Sequence, residues 1–253
     1  MKNSLLLPQN IFSKIFFSEL TTENNFEPVY LNSAIIATEL TKMPNSLGLI
    51  PTLDLIRFKD LFVSSKNGIS FNALLSNGYL HFKKGQDTID EIFLKGDVST
   101  NEVILSKILF KEFYDIDIKQ TLLTDTQSHQ EDNLFIVGDE NFRDKLFKSG
   151  LSFSEEIIEL VSAPYVNFVL VSASENLLKE FTQMHGTDFK VGHSESINLL
   201  LNDFPEESTE FISVNMQHII FDFEEQDLEG IKTLLQMPYY HGLVKDMIDV
   251  KYV

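Results

Sequence analysis

Ser99-Thr100-Asn101 stands between a β-like run, Glu91–Leu94, and a strongly amphipathic stretch that continues through Tyr114. Hydroxyls and free backbone N–H groups at such a strand-to-helix turn can bind a carboxylate or a phosphate. The first turn of a helix leaves its N–H groups unsatisfied at the positive end of the dipole. The plainer alternative is an N-cap, for which Ser and Thr are favoured. The same placement recurs at Gly138-Asp139-Glu140, where Asp139 is either a cap or a cleft carboxylate, and at Gln9-Asn10 and Asn32-Ser33. A fifth turn ends the buried run Ser46–Ile50. There Pro51 fixes φ and has no N–H for a ladder, and Thr52 can open a short helix with Asp54 in its first turn. The expected ligand-binding residues are therefore Gln9, Asn10, Asn32, Ser33, Pro51, Thr52, Ser99, Thr100 and Asp139.

Other chemistries find little support. The 253 residues include no Cys, which excludes disulfides, thiolate metal sites and a cysteine nucleophile. His81, His129, His185, His193, His218 and His241 form no H-E-x-x-H, and no Asp, Glu and His set has metal-ligand spacing. Packing or surface roles are the better reading for them, so neither a metal nor another cofactor is expected. There is no G-x-S-x-G elbow, P-loop or G-x-G-x-x-G, which leaves nucleophilic hydrolysis and nucleotide binding unsupported. The net charge of −18, from 38 acidic and 20 basic residues, repels nucleic-acid backbone. It also disfavours small anions unless a local cleft overturns the global sign. Met1–Pro8 carries one charge and three consecutive leucines, too short an apolar region for a signal peptide, and no later stretch reaches membrane-spanning length. The expectation is a soluble cytoplasmic protein with neither nucleic-acid nor membrane partner.

The elements that must position these turns alternate. Ser4–Leu7, Pro28–Leu31 and Ser46–Ile50 read as strands, separated by helices through Leu20 and Leu40 with Ile11, Phe12, Ile15 and Phe16 at helical spacing. Strand–helix alternation with short loops predicts right-handed crossovers and a parallel sheet. After Arg57 come short β-like runs at Leu61–Ser64, Ile69–Leu74 and Tyr79–Phe82, divided by turn sequences at Lys66-Asn67-Gly68 and Ser76-Asn77-Gly78. The alternation then resumes, with strands at Glu91–Leu94, Ile118–Leu123 and Asn133–Val137 and a helix from Glu140 through Lys148. Val166–Val171 is a near-continuous apolar run fit for a strand buried on both faces. Helices are expected over 174–185, 194–202, 206–218 and 224–241, with Gly230 a weak point in the last. With 22 Phe and no Trp, aromatic packing rests on Phe and Tyr.

Two α/β lobes follow, joined by crossing strands near 79–83 and 166–171 that act as a hinge. The expected division is 1–78 for the first part of lobe 1, 79–171 for lobe 2 with the crossover strands, and 172–253 for a helical return to lobe 1. The ligand cleft would lie between the lobes, walled by strand-end turns and helix N-termini.

In this order the pieces resemble the menaquinone-biosynthesis family, chorismate dehydratase among its members, built on the type II periplasmic-binding-protein fold. The resemblance runs from Leu47 to Val171. It is carried by Gly48-Leu49-Ile50-Pro51-Thr52-Leu53-Asp54 with Arg57, Gly68-Ile69-Ser70, Ile92–Thr100, Leu134–Asp139 and Ala163-Pro164-Tyr165-Val166-Asn167-Phe168. It implies a two-lobed α/β fold of that type with a helical C-terminal tail. It also implies a metal-free carbon–oxygen lyase that dehydrates chorismate to an enolpyruvyl benzoate and holds a small anionic metabolite in the cleft. Such a step needs donors for the substrate carboxylates and a base for a ring proton. Ser99 and Thr100 are candidate donors, and Arg57 is either a counter-charge or a surface ion pair. The family's Tyr-Leu-Asn-type first turn is replaced here by Leu5–Asn10, and the Trp of its return strand is missing. The alternative is a non-catalytic cytoplasmic small-molecule (solute) binding protein or a degenerate paralogue of the same fold, since fold does not fix function.

Overall fold

The computed structural model describes residues 3–20, 25–86, 88–124, 132–185 and 195–253. It begins as the alternation predicts, with β1 (Asn3–Pro8), α1 (Ile11–Ser18), β2 (Phe26–Leu31), α2 (Ser33–Lys42) and β3 (Ser46–Pro51), followed by a 3-10 helix at Thr52–Ile56. Next come β4 (Phe62–Phe71), β5 (Gly78–His81), β6 (Glu91–Gly96), α3 (Thr100–Tyr114), β7 (Lys119–Leu122) and β8 (Leu134–Val137). Then follow α4 (Glu140–Arg143), β9 (Leu151–Ser152), α5 (Phe153–Val161), β10 (Tyr165–Ser172), α6 (Glu175–His185) and α7 (Glu195–Leu201). The chain closes with α8 (Glu206–Asn215), β11 (Ile219–Asp222), α9 (Glu225–Tyr240) and β12 (Lys251–Tyr252).

Two sheets organise these elements. The first, which defines lobe 1, runs β11-β4-β10-β3-β1-β2 with β12 alongside β4. Its β1 is parallel to β2 and β3, whereas β10 is antiparallel to both β3 and β4. The second, which defines lobe 2, runs β7-β6-β8-β5-β9, with β6 parallel to β7 and β8. The chain passes to the second sheet between β4 and β5 and returns between α5 and β10, so β5 and β10 are the first elements after each crossing. All eight residues of β10 are buried, as its apolar run requires of a strand covered on both faces. The architecture is the two-lobed α/β one that the sequence predicts.

Two local expectations give way to tertiary packing, and three short strands are missed. Lys66-Asn67-Gly68 is no turn, because β4 runs continuously through it. Ser64 Oγ accepts the N–H groups of Lys66 and Asn67 at 3.1 and 3.0 Å, which absorbs the extra residues as an irregularity in the pairing with β10. Glycine is needed at position 68, where a Cβ would lie 2.4 Å from the Phe168 carbonyl oxygen. The helix expected from Glu140 through Lys148 stops at Arg143, and Lys145, at φ 56°, separates it from a 3-10 turn at Leu146–Lys148. Strand β11 is missed by the sequence reading, since four residues at a sheet edge give too short a period-two signal. The short β9 and β12, two residues each, are missed for the same reason. Ser194, at the start of the helix expected over 194–202, lies outside the described residues, as do His129 and His193.

Helix α9 packs on β10 and on the 3-10 helix, and Gly230 permits its approach. A Cβ at 230 would lie 2.5 Å from the Pro164 carbonyl oxygen. Gly230→Ala should therefore destabilise the protein by about 1–3 kcal/mol through overpacking, although Ala favours an unconstrained helix by about 1 kcal/mol. Chemical denaturation checks the sign, and a stabilised variant would contradict the close approach.

Candidate functional site

Each lobe-1 turn singled out by the sequence starts a helix, and each helix presents an N–H to the other lobe. Asn10 caps α1 by accepting from Ser13 N–H at 3.0 Å, and Asn32 caps α2 by accepting from Ala34 N–H at 3.1 Å. The first N–H of each helix remains, and lobe 2 supplies its acceptor. Ile11 N–H donates to Asp139 Oδ1 at 2.7 Å. Ser33 donates its N–H to Asp97 Oδ1 at 2.7 Å and its hydroxyl to Asp97 Oδ2 at 2.5 Å. At the third turn Leu53 N–H donates to Asn101 Oδ1 at 2.9 Å. Asn101 Nδ2 in turn donates to the carbonyl and side-chain oxygens of Asn167 on β10, at 2.7 and 3.0 Å.

Pro51, Thr52, Ser99 and Thr100 are engaged within the protein, whereas Gln9 is exposed and donates to the Tyr30 carbonyl at 3.2 Å. Pro51 is the last residue of β3, paired with Phe168, and Thr52 Oγ1 donates to the Val166 carbonyl at 2.5 Å. Ser99 forms a capping box, with its N–H and hydroxyl both donating to Glu102 at 2.8 and 2.6 Å. Thr100 Oγ1 donates across the lobes to Asp54 Oδ1 at 2.5 Å. Asp139 occupies the N-cap position of α4 yet makes no capping bond with its side chain, whose Oδ1 accepts from Ile11. Arg57 is exposed and lies against the Phe58 ring. An apolar contact reinforces the closure, because the fully buried Phe142 of α4 lies edge-on to Phe12 of α1 with ring centroids 5.8 Å apart.

Beside these contacts a cavity of about 580 Å3 opens between the lobes. Gln9, Lys14, Tyr30 and Asn32 line it from lobe 1. Asp97, Asp139, Glu140 and Arg143 line it from lobe 2, with Gly96, Val137 and Gly138. Of the nine predicted residues, Gln9, Asn32 and Asp139 reach the cavity; Asn10, Ser33, Pro51, Thr52, Ser99 and Thr100 belong to the packed interface behind it. Sequence reasoning missed Lys14, Tyr30, Asp97, Glu140 and Arg143. Asp97 and Arg143 had a usable signal: Asp97 directly follows β6, and Arg143 lies one helical turn beyond Asp139, 3.6 Å from its carboxylate. Glu140 is ion-paired with Lys95, so the charges around the cavity nearly balance in a chain of net charge −18.

Among the described residues no group of three or more His, Cys, Asp or Glu side chains could hold a metal ion. Within them, too, no helix is long and apolar enough to cross a membrane.

No protein-family model matches the chain, and no curated protein sequence matches it. Solved structures do. The ligand-binding component of an ABC-type import system from Staphylococcus aureus, solved with zinc bound, superimposes with a TM-score of 0.65 at 13% identity, covering 99% of this chain and 95% of its own. The periplasmic aliphatic sulphonate-binding protein SsuA from Escherichia coli gives 0.63 at 11% identity, with 98% and 90% covered. Protein AF1704 from Archaeoglobus fulgidus gives 0.63 at 12% identity, with 95% and 98% covered. The chain thus has the periplasmic-binding-protein type II-like fold, its two lobes meeting at a polar cleft.

Burial dominates the carboxylates at the interface. It pushes Asp54 up to about 6 against the opposing effects of the Thr100 hydrogen bond and Arg57. It pushes Glu102 up to about 7, partly offset by hydrogen bonds from Ser99 and reinforced by Asp97. Asp97 and Asp139 are raised as well, by burial first, with the Ser33 and Ile11 hydrogen bonds pulling the other way. Groups that hold protons more tightly when folded make the native state bind more protons than the unfolded chain above the ordinary carboxylate range. Stability should therefore fall by about 1–3 kcal/mol as pH rises from about 5 to about 8. Denaturation across that range checks this, with Glu102→Gln flattening the dependence; stability rising with pH would contradict it.

Proposed function

We propose that this chain is a small-molecule-binding protein that encloses its ligand between the two lobes and performs no chemistry on it. The observation that carries this reading is the division of labour at the cleft. The hydroxyls of Ser99 and Thr100 are engaged inside the protein, with Glu102 and Asp54, while the cavity keeps groups of both signs from both lobes. Lys14 on lobe 1 and Arg143 on lobe 2 could hold an acid group between them, which is how the expected small anion would overcome the global charge. The binding roles named for the sulphonate-binding and import-system proteins support binding over catalysis.

A second reading, a chorismate dehydratase-like lyase of menaquinone biosynthesis, is favoured by the ordered sequence resemblance and by one feature of the interface behind the cavity. Asp54, raised to about 6, has an Oδ2 without a hydrogen-bond partner among the described residues, and a carboxyl in that range suits proton abstraction.

One pair of measurements separates the two. Incubation with chorismate should leave its ultraviolet spectrum unchanged, whereas its conversion to an enolpyruvyl benzoate would establish the lyase. Thermal denaturation with amino acids, short-chain carboxylates and alkanesulphonates should reveal a stabilising compound, by about 2.7 kcal/mol at a hundred times its Kd. Lys14→Ala with Arg143→Ala should abolish the effect. A panel without any stabilising compound would count against binding.

A further inference from the structure

The N-terminal end of a helix is an anion site, with N–H groups pointing outward at the positive end of the dipole. In lobe 1 two such ends, those of α1 and α2, face lobe 2, and each carries an oxyanion that belongs to the chain itself. Asp139 meets Ile11 N–H from 128 residues away, and Asp97 meets Ser33 from 64 away, so neither bond is local capping. The two acids sit on neighbouring turns, since Asp97 N–H donates to the Val137 carbonyl at 3.1 Å, two residues before Asp139. We propose that Asp97 and Asp139 are resident anions, which occupy the helix ends that a ligand's acid group would otherwise take and hold the cleft closed without a ligand.

Three observations favour this over an incidental polar contact. First, the third cross-lobe N–H, that of Leu53, uses the neutral amide of Asn101, so an uncharged acceptor suffices where only a hydrogen bond is needed. Second, the carboxylates are placed at a cost. Asp97 and Asp139 repel each other, Glu102 lies near Asp97, and among the described residues only Lys14 and Arg143 offer Asp139 a counter-charge. The helix ends compensate two acids that a chain of net charge −18 has no general reason to bring together. Third, Asn10, wholly buried at the α1 end, has an Nδ2 without a hydrogen-bond partner among the described residues, a further donor suited to an oxyanion. The consequence is a specificity rule: an acid group has access to the outer cations Lys14 and Arg143, and the helix ends are already taken.

Chemical rescue tests this whatever the natural ligand is. Asp139→Ala and Asp97→Ala each remove a carboxylate and leave room for formate. Each variant should lose roughly 3–10 °C of melting midpoint, and formate at about 0.2 M should restore at least half of that loss. Sodium chloride of equal ionic strength should restore less, and the unsubstituted protein, in which formate has only the outer cations, should respond less than either variant. Equal responses from parent and variants, or none from the variants, would overturn the proposal. Should the alanine variants fail to fold, small-angle X-ray scattering decides. In carboxylate-free buffer the parent should be closed, with a radius of gyration of about 18 Å. The Asp97→Asn/Asp139→Asn double variant, which keeps acceptor oxygens but not charge, should be larger. An open parent, or a double variant of equal radius, would overturn the resident-anion role.

Discussion

Three backbone N–H groups at the starts of helices in one lobe end on three side-chain oxygens carried by the other: Ile11 on Asp139, Ser33 on Asp97 and Leu53 on Asn101. The donors are fixed just past the carboxyl ends of β1, β2 and β3, and the acceptors just past those of β6 and β8, so both sets can be satisfied only if these strand ends of the two sheets face each other. A buried donor left without its acceptor costs about 1–3 kcal/mol, more when the acceptor is charged. The relative placement of the lobes is therefore specified at three points, and Phe142 against Phe12 adds apolar area between them. The cavity is the remainder of the interface, where Lys14, Tyr30, Glu140 and Arg143 are among the lining residues.

Much of this frame was legible in the sequence because it rests on local rules. Apolar periodicity set strands and helices, Asn10, Asn32 and Ser99 read as cap residues and are caps, and Pro51 ended its strand. What stayed hidden depends on long-range partners. Ser99 and Thr100 looked equally suited to capping and to ligand binding, and only the positions of Glu102 and Asp54 decide between them. Asp139 read as a cap or a cleft carboxylate, and no local pattern reveals Ile11, 128 residues away, as its partner. Gly230 looked like a flaw in a helix until Pro164 was seen against it.

The same contacts bear on function. In a two-lobed binder the free energy of closure ordinarily comes from the ligand, which bridges the lobes. Here the chain supplies bridging oxygens of its own, so under the proposed binding role a ligand would add to a closure already in place and bind beside Lys14 and Arg143. The acidic composition then has a local meaning: two of the 38 acidic residues complete helix ends across the cleft.

Closure by the chain's own carboxylates is tested most directly by amide hydrogen exchange at single-residue resolution in ligand-free protein. The amides of Ile11 and Ser33, at the first positions of α1 and α2, would exchange within seconds if open to water, as helix-start amides do. Protection of both, together with Leu53 and to a similar degree, is the expected result, because one opening motion exposes all three. Fast exchange at Ile11 and Ser33 alongside protected amides deeper in α1 and α2 would contradict it.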